Sequence, residues 1–244
     1  MLKTRSLKLE RIDTGDYTPE EYDRFLREIG FINRVLGDRR ALGKTLLREV
    51  KNKTLSNFSV LDVGAGSGEL LRAIAVFTRK TNRKSRLCGL ELNERSAKAI
   101  IEESKDFAEI AAVRADAFRL PFADNSFDYA ICSLFTHHFI DENVVKIVSE
   151  MNRVSCRKIF VIDLHRHRAA YFSYKLFCRA FRISRLVRED GSLSVLRSFT
   201  PNELQSIGEK AGLKEVRVKR IAPFRLVLEG GKEISQEKIR NFTK

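Results

Sequence analysis

Apolar positions along the chain fall into two alternating rhythms. Between Phe58 and Phe160, short continuous apolar runs (59–63, 86–91, 111–115, 127–132 and 158–163) are separated by longer stretches whose apolar residues recur at helical spacing. Such alternation predicts a doubly wound α/β domain, a parallel sheet covered on both faces. Ahead of it, Thr18-Pro19-Glu20-Glu21 reads as a cap with proline at the first helical position, and Phe25, Ile29, Ile32 and Leu36 repeat at three- and four-residue spacing. One or two helices are therefore expected before the first strand. After Asp163 the rhythm breaks. Residues 166–188 read as one basic amphipathic helix, Thr200 and Glu203 form a capping box for a further helix ending near Ala211-Gly212, and 215–221 with 224–228 read as an antiparallel hairpin around Ala222-Pro223. The expected organisation is one domain over 1–244: a helical cover (1–55), a core (56–165), a helical insertion (166–199), a last helix and hairpin (200–230), and a polar tail (231–244).

Composition narrows the class. The 244 residues carry 46 Lys+Arg against 32 Asp+Glu, a formal net charge of +14, and 43% hydrophobic residues, enough for a sizeable core. The excess charge calls for an anionic partner: nucleic acid, a membrane surface or an acidic substrate. Cys88, Cys132, Cys156 and Cys178 match neither a zinc knuckle nor a redox pair, and read as reduced thiols of a cytoplasmic protein. No run approaches the roughly 20 apolar residues that a membrane span needs, and the first residues lack the apolar segment of a signal peptide.

The chemistry concentrates in Val60-Leu61-Asp62-Val63-Gly64-Ala65-Gly66-Ser67-Gly68-Glu69. Glycines at alternate positions after an apolar strand let the backbone turn tightly and present amides to a ligand at the next helix. A nicotinamide-binding fingerprint wants glycine where Glu69 stands. Asp62, two places before the first glycine, suits a cationic ligand better than a pyrophosphate.

This segment resembles the first motif of class I S-adenosylmethionine-dependent methyltransferases. Gly89-Leu90-Glu91-Leu92-Asn93, Ala115-Asp116-Ala117 and Leu120-Pro121-Phe122-Ala123-Asp124-Asn125-Ser126-Phe127-Asp128 follow in order, the last similar to the signature of the ubiquinone/menaquinone-biosynthesis (methyltransferase type 11) subgroup. The resemblance implies a Rossmann-like seven-stranded sheet with a C-terminal antiparallel hairpin, and S-adenosylmethionine as cosubstrate. It implies cofactor contacts at Asp62, Gly64, Ala65, Gly66, Gly68, Glu91 (ribose hydroxyls), Leu92, Asp116 (adenine amino group), Ala117 and Ser133. Asn33, Arg34 and Arg40 match the N-terminal helices that cover the cofactor in such enzymes, where an arginine could meet a carboxylate.

All four histidines follow the fourth and fifth strands, His137 with His138 and His165 with His167, and are expected to face one pocket. An imidazole is suited to take a proton near neutral pH. His138, which matches a histidine position of the subgroup, is the first choice of catalytic base and His165 the second. Capping or cofactor contacts are the bland alternative for these rings. No metal is expected, because no ligating carboxylate is evident and displacement at a sulfonium needs none.

Half of the net charge, +7, lies in the segment from Arg166 to Arg188: Arg166, Arg168, Lys175, Arg179, Arg182, Arg185 and Arg188, with no acid. In the resembling family an insertion here lids the acceptor site. An aromatic face would then roof an apolar pocket while the cationic face meets solvent or an anionic membrane. The expected function is methyl transfer to oxygen or carbon of a small aromatic, quinone-like or polyketide-derived lipophilic acceptor, by a cytoplasmic and at most peripheral protein. An RNA methyltransferase is the first rival. Cys132-Ser133-Leu134-Phe135 lacks the proline pair of base-amine enzymes, Cys132 reads as a buried strand residue, and nucleic acid is not expected as partner. The second rival is a non-catalytic cofactor-binding module.

Overall fold

The computed structural model describes residues 2–232. Its centre is a seven-stranded sheet of β1 (Asn57–Val63), β2 (Lys84–Glu91), β3 (Ile110–Arg114), β4 (Phe127–Ser133), β5 (Ser155–Leu164), β6 (Lys214–Ile221) and β7 (Arg225–Gly231), in the order β3-β2-β1-β4-β5-β7-β6. The pairs among β1–β5 are parallel, and β7 runs antiparallel to both β5 and β6. In β1 every residue from Phe58 to Val63 is buried, as a strand covered on both faces requires. Two apolar clusters fill the two sides, one around Leu61, Cys132 and Val161, the other around Val60, Ile131 and Phe160.

The crossover helices are α5 (Glu69–Lys80), α6 (Glu94–Glu103) and α7 (Asp141–Val154), and α10 (Pro201–Lys210) precedes the hairpin. The N-terminal cover holds four helices where one or two were expected: α1 (Arg11–Thr14), α2 (Pro19–Leu36), α3 (Asp38–Lys44) and α4 (Leu46–Asn52). Gly37, at φ 104°, breaks the run between α2 and α3. The capping boxes at Thr18 and Thr200 both form.

The basic stretch after β5 is two helices, α8 (Arg168–Ala180) and α9 (Arg185–Arg197), not one. They pack with α2 through a small cluster of Ile32, Tyr174, Cys178, Ile183 and Val187. Phe177 and Phe181 meet Phe31 of α2, with centroids 6.1 and 5.6 Å apart, so much of the aromatic face is used in this packing. Arg166 is buried and bonded to Glu203, which removes it from the exposed basic face. The tail expected over 231–244 lies, from residue 233 on, outside the described residues, and so does the side chain of Arg34.

Candidate active site

The strand order reverses between β1 and β4, and in such sheets ligands bind beyond the carboxyl ends at that point. Here β1 delivers Asp62 and the glycine loop. Gly64, Gly66 and Gly68 all adopt left-handed φ (71°, 58° and 81°), which glycine alone adopts without strain. The N–H groups of Gly64 and Ala65 donate to Leu90 O, tying the loop to β2, and Gly68 opens α5.

Asp62 is fully buried, and its Oδ1 has no hydrogen-bond partner among the described residues. Burial, with the nearby Glu91 charge, holds its pKa well above the usual carboxylate range. Glu91 ends β2 and accepts from the Gly66 N–H at 2.5 Å, while burial raises its pKa too. Two acids thus share a site with no compensating cation among the described residues. Leu92 beside them is 64% exposed, a large apolar side chain open to a ligand. Asp116, at the end of β3, accepts from the Phe118 N–H with Oδ1, and Ala117 is buried next to it. Ala115 N–H donates to Glu91 O and joins that loop to the Glu91 corner. Ser133 closes β4 with its hydroxyl buried and without a partner among the described residues. Asp62, the glycine loop, Glu91 and the Asp116 loop therefore converge on one edge of the sheet.

An aromatic trio stands beside them that the sequence did not single out. Phe135 lies 4.9 Å from Phe139, and Phe139 lies 5.4 Å from Phe118, centroid to centroid. A side chain at Gly64 would come within 2.6 Å of the Phe135 ring, so the first glycine also makes room for this aromatic. Arg39, rather than Arg40, reaches the start of α5, pairing with Glu69 at 3.0 Å.

The four histidine rings form two close pairs, His137 with His138 at 4.3 Å and His165 with His167 at 5.3 Å. His137 is buried, its Nδ1 2.7 Å from Asp163 Oδ1 on β5. Asp163 also accepts from the Thr136 hydroxyl and the His137 N–H. Burial pushes the Asp163 pKa up, but the His137 ring and these donors outweigh it and hold it at about 2. His138 is more open, and its Nδ1 lies 3.0 Å from Asp13 of α1. Burial opposes the Asp13 charge, yet His138 and Arg197 keep its pKa below the ordinary value.

Glu10, just before α1, turns into the same place. It is 3% exposed, accepts from the Ser194 hydroxyl at 2.9 Å, and burial pushes its pKa to about 7. Arg197 clamps the turn by donating to the carbonyls of His137, His138 and Lys8. Burial, with the neighbouring His167, lowers the pKa of His165, and the His167 ring nitrogen caps α8 by accepting from Ala169 N–H. Cys132 is fully buried, which raises its thiol pKa well above normal and removes it as a nucleophile.

Comparison with known proteins agrees with this arrangement. The family model described as a methyltransferase domain matches residues 61–158, from the first loop to β5. The demethylmenaquinone methyltransferase of Bacillus licheniformis is 24% identical over 174 residues, covering 65% of this chain and 72% of that protein. The Staphylococcus aureus counterpart is 28% identical over 171 residues, covering 65% and 69%. The chain is an S-adenosylmethionine-dependent methyltransferase, similar over these segments to the demethylmenaquinone enzymes. The fold of this methyltransferase is also that of magnesium protoporphyrin IX methyltransferase from Synechocystis with bound SAH, at TM-score 0.62 and 14% identity over 92% of this chain and 100% of that one. A SAM-dependent methyltransferase from Aquifex aeolicus aligns at TM-score 0.58 and 16% identity, over 88% and 98%. The cosubstrate suits the chemistry of the site, since an ammonium group would satisfy the unpartnered Asp62 oxygen without introducing a phosphate beside two buried acids. No helix among the described residues is long and apolar enough to cross a membrane.

Proposed function

We propose that the enzyme methylates oxygen or carbon of a small, lipophilic, hydroxylated aromatic acceptor of the quinol type, with His138 as the base. The observation that carries the reading is the His138 imidazole, accessible and held by Asp13 through Nδ1, on the turn that also places Phe135 and Phe139 beside the glycine loop. With Nδ1 occupied, Nε2 is the ring atom left to take a proton. A flat aromatic acceptor fits against phenyl rings. His137, buried on Asp163, fixes the turn, and His165 stands outside this group.

S-adenosylmethionine supplies an electrophilic methyl group on a sulfonium. Asp62 would hold its ammonium, Glu91 its ribose hydroxyls, Asp116 its adenine amino group and Leu92 its adenine face, while Gly64, Ala65, Gly66 and Gly68 leave room for its chain and Ala117 and Ser133 close the sides. Removal of the acceptor hydroxyl proton by His138 Nε2 makes the oxygen, or the conjugated ring carbon, the nucleophile. As that atom bonds the methyl carbon, the carbon–sulfur bond breaks and its electron pair stays on a neutral thioether; after carbon attack a ring proton is then lost. In-line displacement depends on alignment and exclusion of water, which the aromatic trio favours.

Transfer of labelled methyl to a reduced naphthoquinone is expected for the wild type. His138→Gln should lower kcat by about 10²-fold or more while leaving cosubstrate affinity unchanged. Equal turnover of the variant removes His138 as the base.

A peripheral contact with an anionic bilayer is part of the same proposal. Phe172, Leu176 and Phe181 are 66%, 69% and 56% exposed beside Lys175 and Arg179, which have no carboxylate partner among the described residues. Such a face suits a source of lipophilic acceptor.

A further inference from the structure

The sequence offered histidines without a carboxylate to complete a metal site, and the fold supplies one from a distant segment. Among the described residues, a carboxylate oxygen of Glu10 and one ring nitrogen each of His137 and His138 lie within 4.8 Å of one another. Each of these side chains is held by a second partner: His137 Nδ1 by Asp163, His138 Nδ1 by Asp13, and Glu10 Oε1 by the Ser194 hydroxyl. A carboxylate on one ring nitrogen fixes the tautomer, orients the ring and leaves the other nitrogen's lone pair free, as in metal-binding histidines generally. Two imidazoles and one carboxylate form a donor set suited to zinc and similar divalent transition metals. Bonds of about 2 Å to zinc ask these donors to close by roughly 1 Å, within reach of side-chain rotation. Charge does not forbid it. Arg197 stands 3.8 Å from Glu10, but its guanidinium donates to three carbonyls, and Glu10, Asp13 and Asp163 surround the place with acids.

We infer that Glu10, His137 and His138 bind a divalent transition-metal ion and that this ion inhibits methyl transfer. The inhibitory half rests on the reading of His138 as the base: one imidazole lone pair cannot bind a cation and accept a proton together, so metal and turnover compete. The binding half stands without it.

The test titrates the whole chain with Zn²⁺ by calorimetry and with Co²⁺ by visible absorption, and then assays methyl transfer with and without Zn²⁺. Expected are one equivalent bound, a Co²⁺ ligand-field band, and loss of activity as Zn²⁺ saturates. Glu10→Gln and His138→Gln should each weaken Zn²⁺ binding by about tenfold or more, with circular dichroism confirming that each is folded. Glu10→Gln should need at least about tenfold more Zn²⁺ to halve its own metal-free rate. Equal Zn²⁺ affinity in the wild type and both folded variants, or no Co²⁺ band, overturns the site. Zn²⁺ bound at the site with undiminished turnover overturns the inhibition. If His138→Gln stays active in the absence of metal, the base reading falls, while the Co²⁺ titration still decides the site.

Discussion

Asp62 links pH to stability and, on the proposed function, to cosubstrate affinity. Its folded-state pKa lies well above the ordinary 3.8 because burial, aided by Glu91, disfavours its charge. Between those two values the native state holds a proton that the unfolded chain has released, so ν_N exceeds ν_U and stability falls as pH rises through that window. A bound ammonium reverses the balance by favouring the ionised form. Affinity for S-adenosylmethionine should therefore grow as pH rises above the ordinary carboxylate value toward the raised one. Asp62→Asn should flatten that dependence and weaken binding by about 10-fold to 100-fold at the upper end, since a hydrogen bond to a charged group contributes about 1.5–3 kcal/mol. Calorimetry across pH checks this, and a parallel pH slope in the variant would assign the effect elsewhere. Much of this corner was legible because its parts are local: an acid and three glycines within seven residues state their own geometry. The acceptor end was not legible. His138 and Asp13 are 125 residues apart, and nothing in the spacing of either says that a short N-terminal helix would bring its carboxylate to that ring.

Among the elements, the helices that begin with local signals were readable and the one that ends on a distant contact was not. Thr200 and Glu203 exchange backbone and side-chain hydrogen bonds at the start of α10, as their spacing predicts. Thr200→Ala should lower unfolding free energy by about 1 kcal/mol, read from the urea midpoint at constant slope. The break between α8 and α9 has no such signal, since its apolar and basic residues keep helical spacing across it. Arg182 adopts φ 51°, and Ser184 N–H donates to the Glu28 carboxylate of α2 at 2.9 Å, while Arg24 of α2 reaches Arg182 O. A side chain 156 residues away in sequence thus supplies the cap that lets a second helix start. The bend leaves Phe172 and Leu176 exposed. Sedimentation with vesicles containing anionic phospholipid should exceed that with neutral vesicles, and Lys175→Glu combined with Arg179→Glu should abolish the difference. Equal sedimentation with both vesicle types removes the proposed bilayer contact.

For the molecule as a whole, the N-terminal cover is fastened to the sheet by charge as well as apolar packing. Asp38 of α3 and Arg225 of β7 form a buried pair at 2.5 Å. Removing one partner strands the other away from water, so Asp38→Ala should lower stability by about 3–5 kcal/mol, measured by chemical denaturation. The net charge of +14 is likewise less diffuse than its total suggests, because Arg166 belongs to the interior and half of the excess is confined to one insertion. The segment from Arg5 to Asp13 carries the broadest consequence. It contributes Glu10 and Asp13 to the histidine turn and Arg5 to the carbonyls of His137 and Phe139, yet its hydrogen bonds and ion pairs go to that turn, to α1, Asp16, α2 and α9 and to Asp141, with none among the described residues to the glycine loop or Glu91. On the proposed function, donor capture and acceptor choice are thereby written in separate stretches of chain, and substitutions in a handful of leading residues are expected to redirect what is methylated while leaving cosubstrate affinity unchanged.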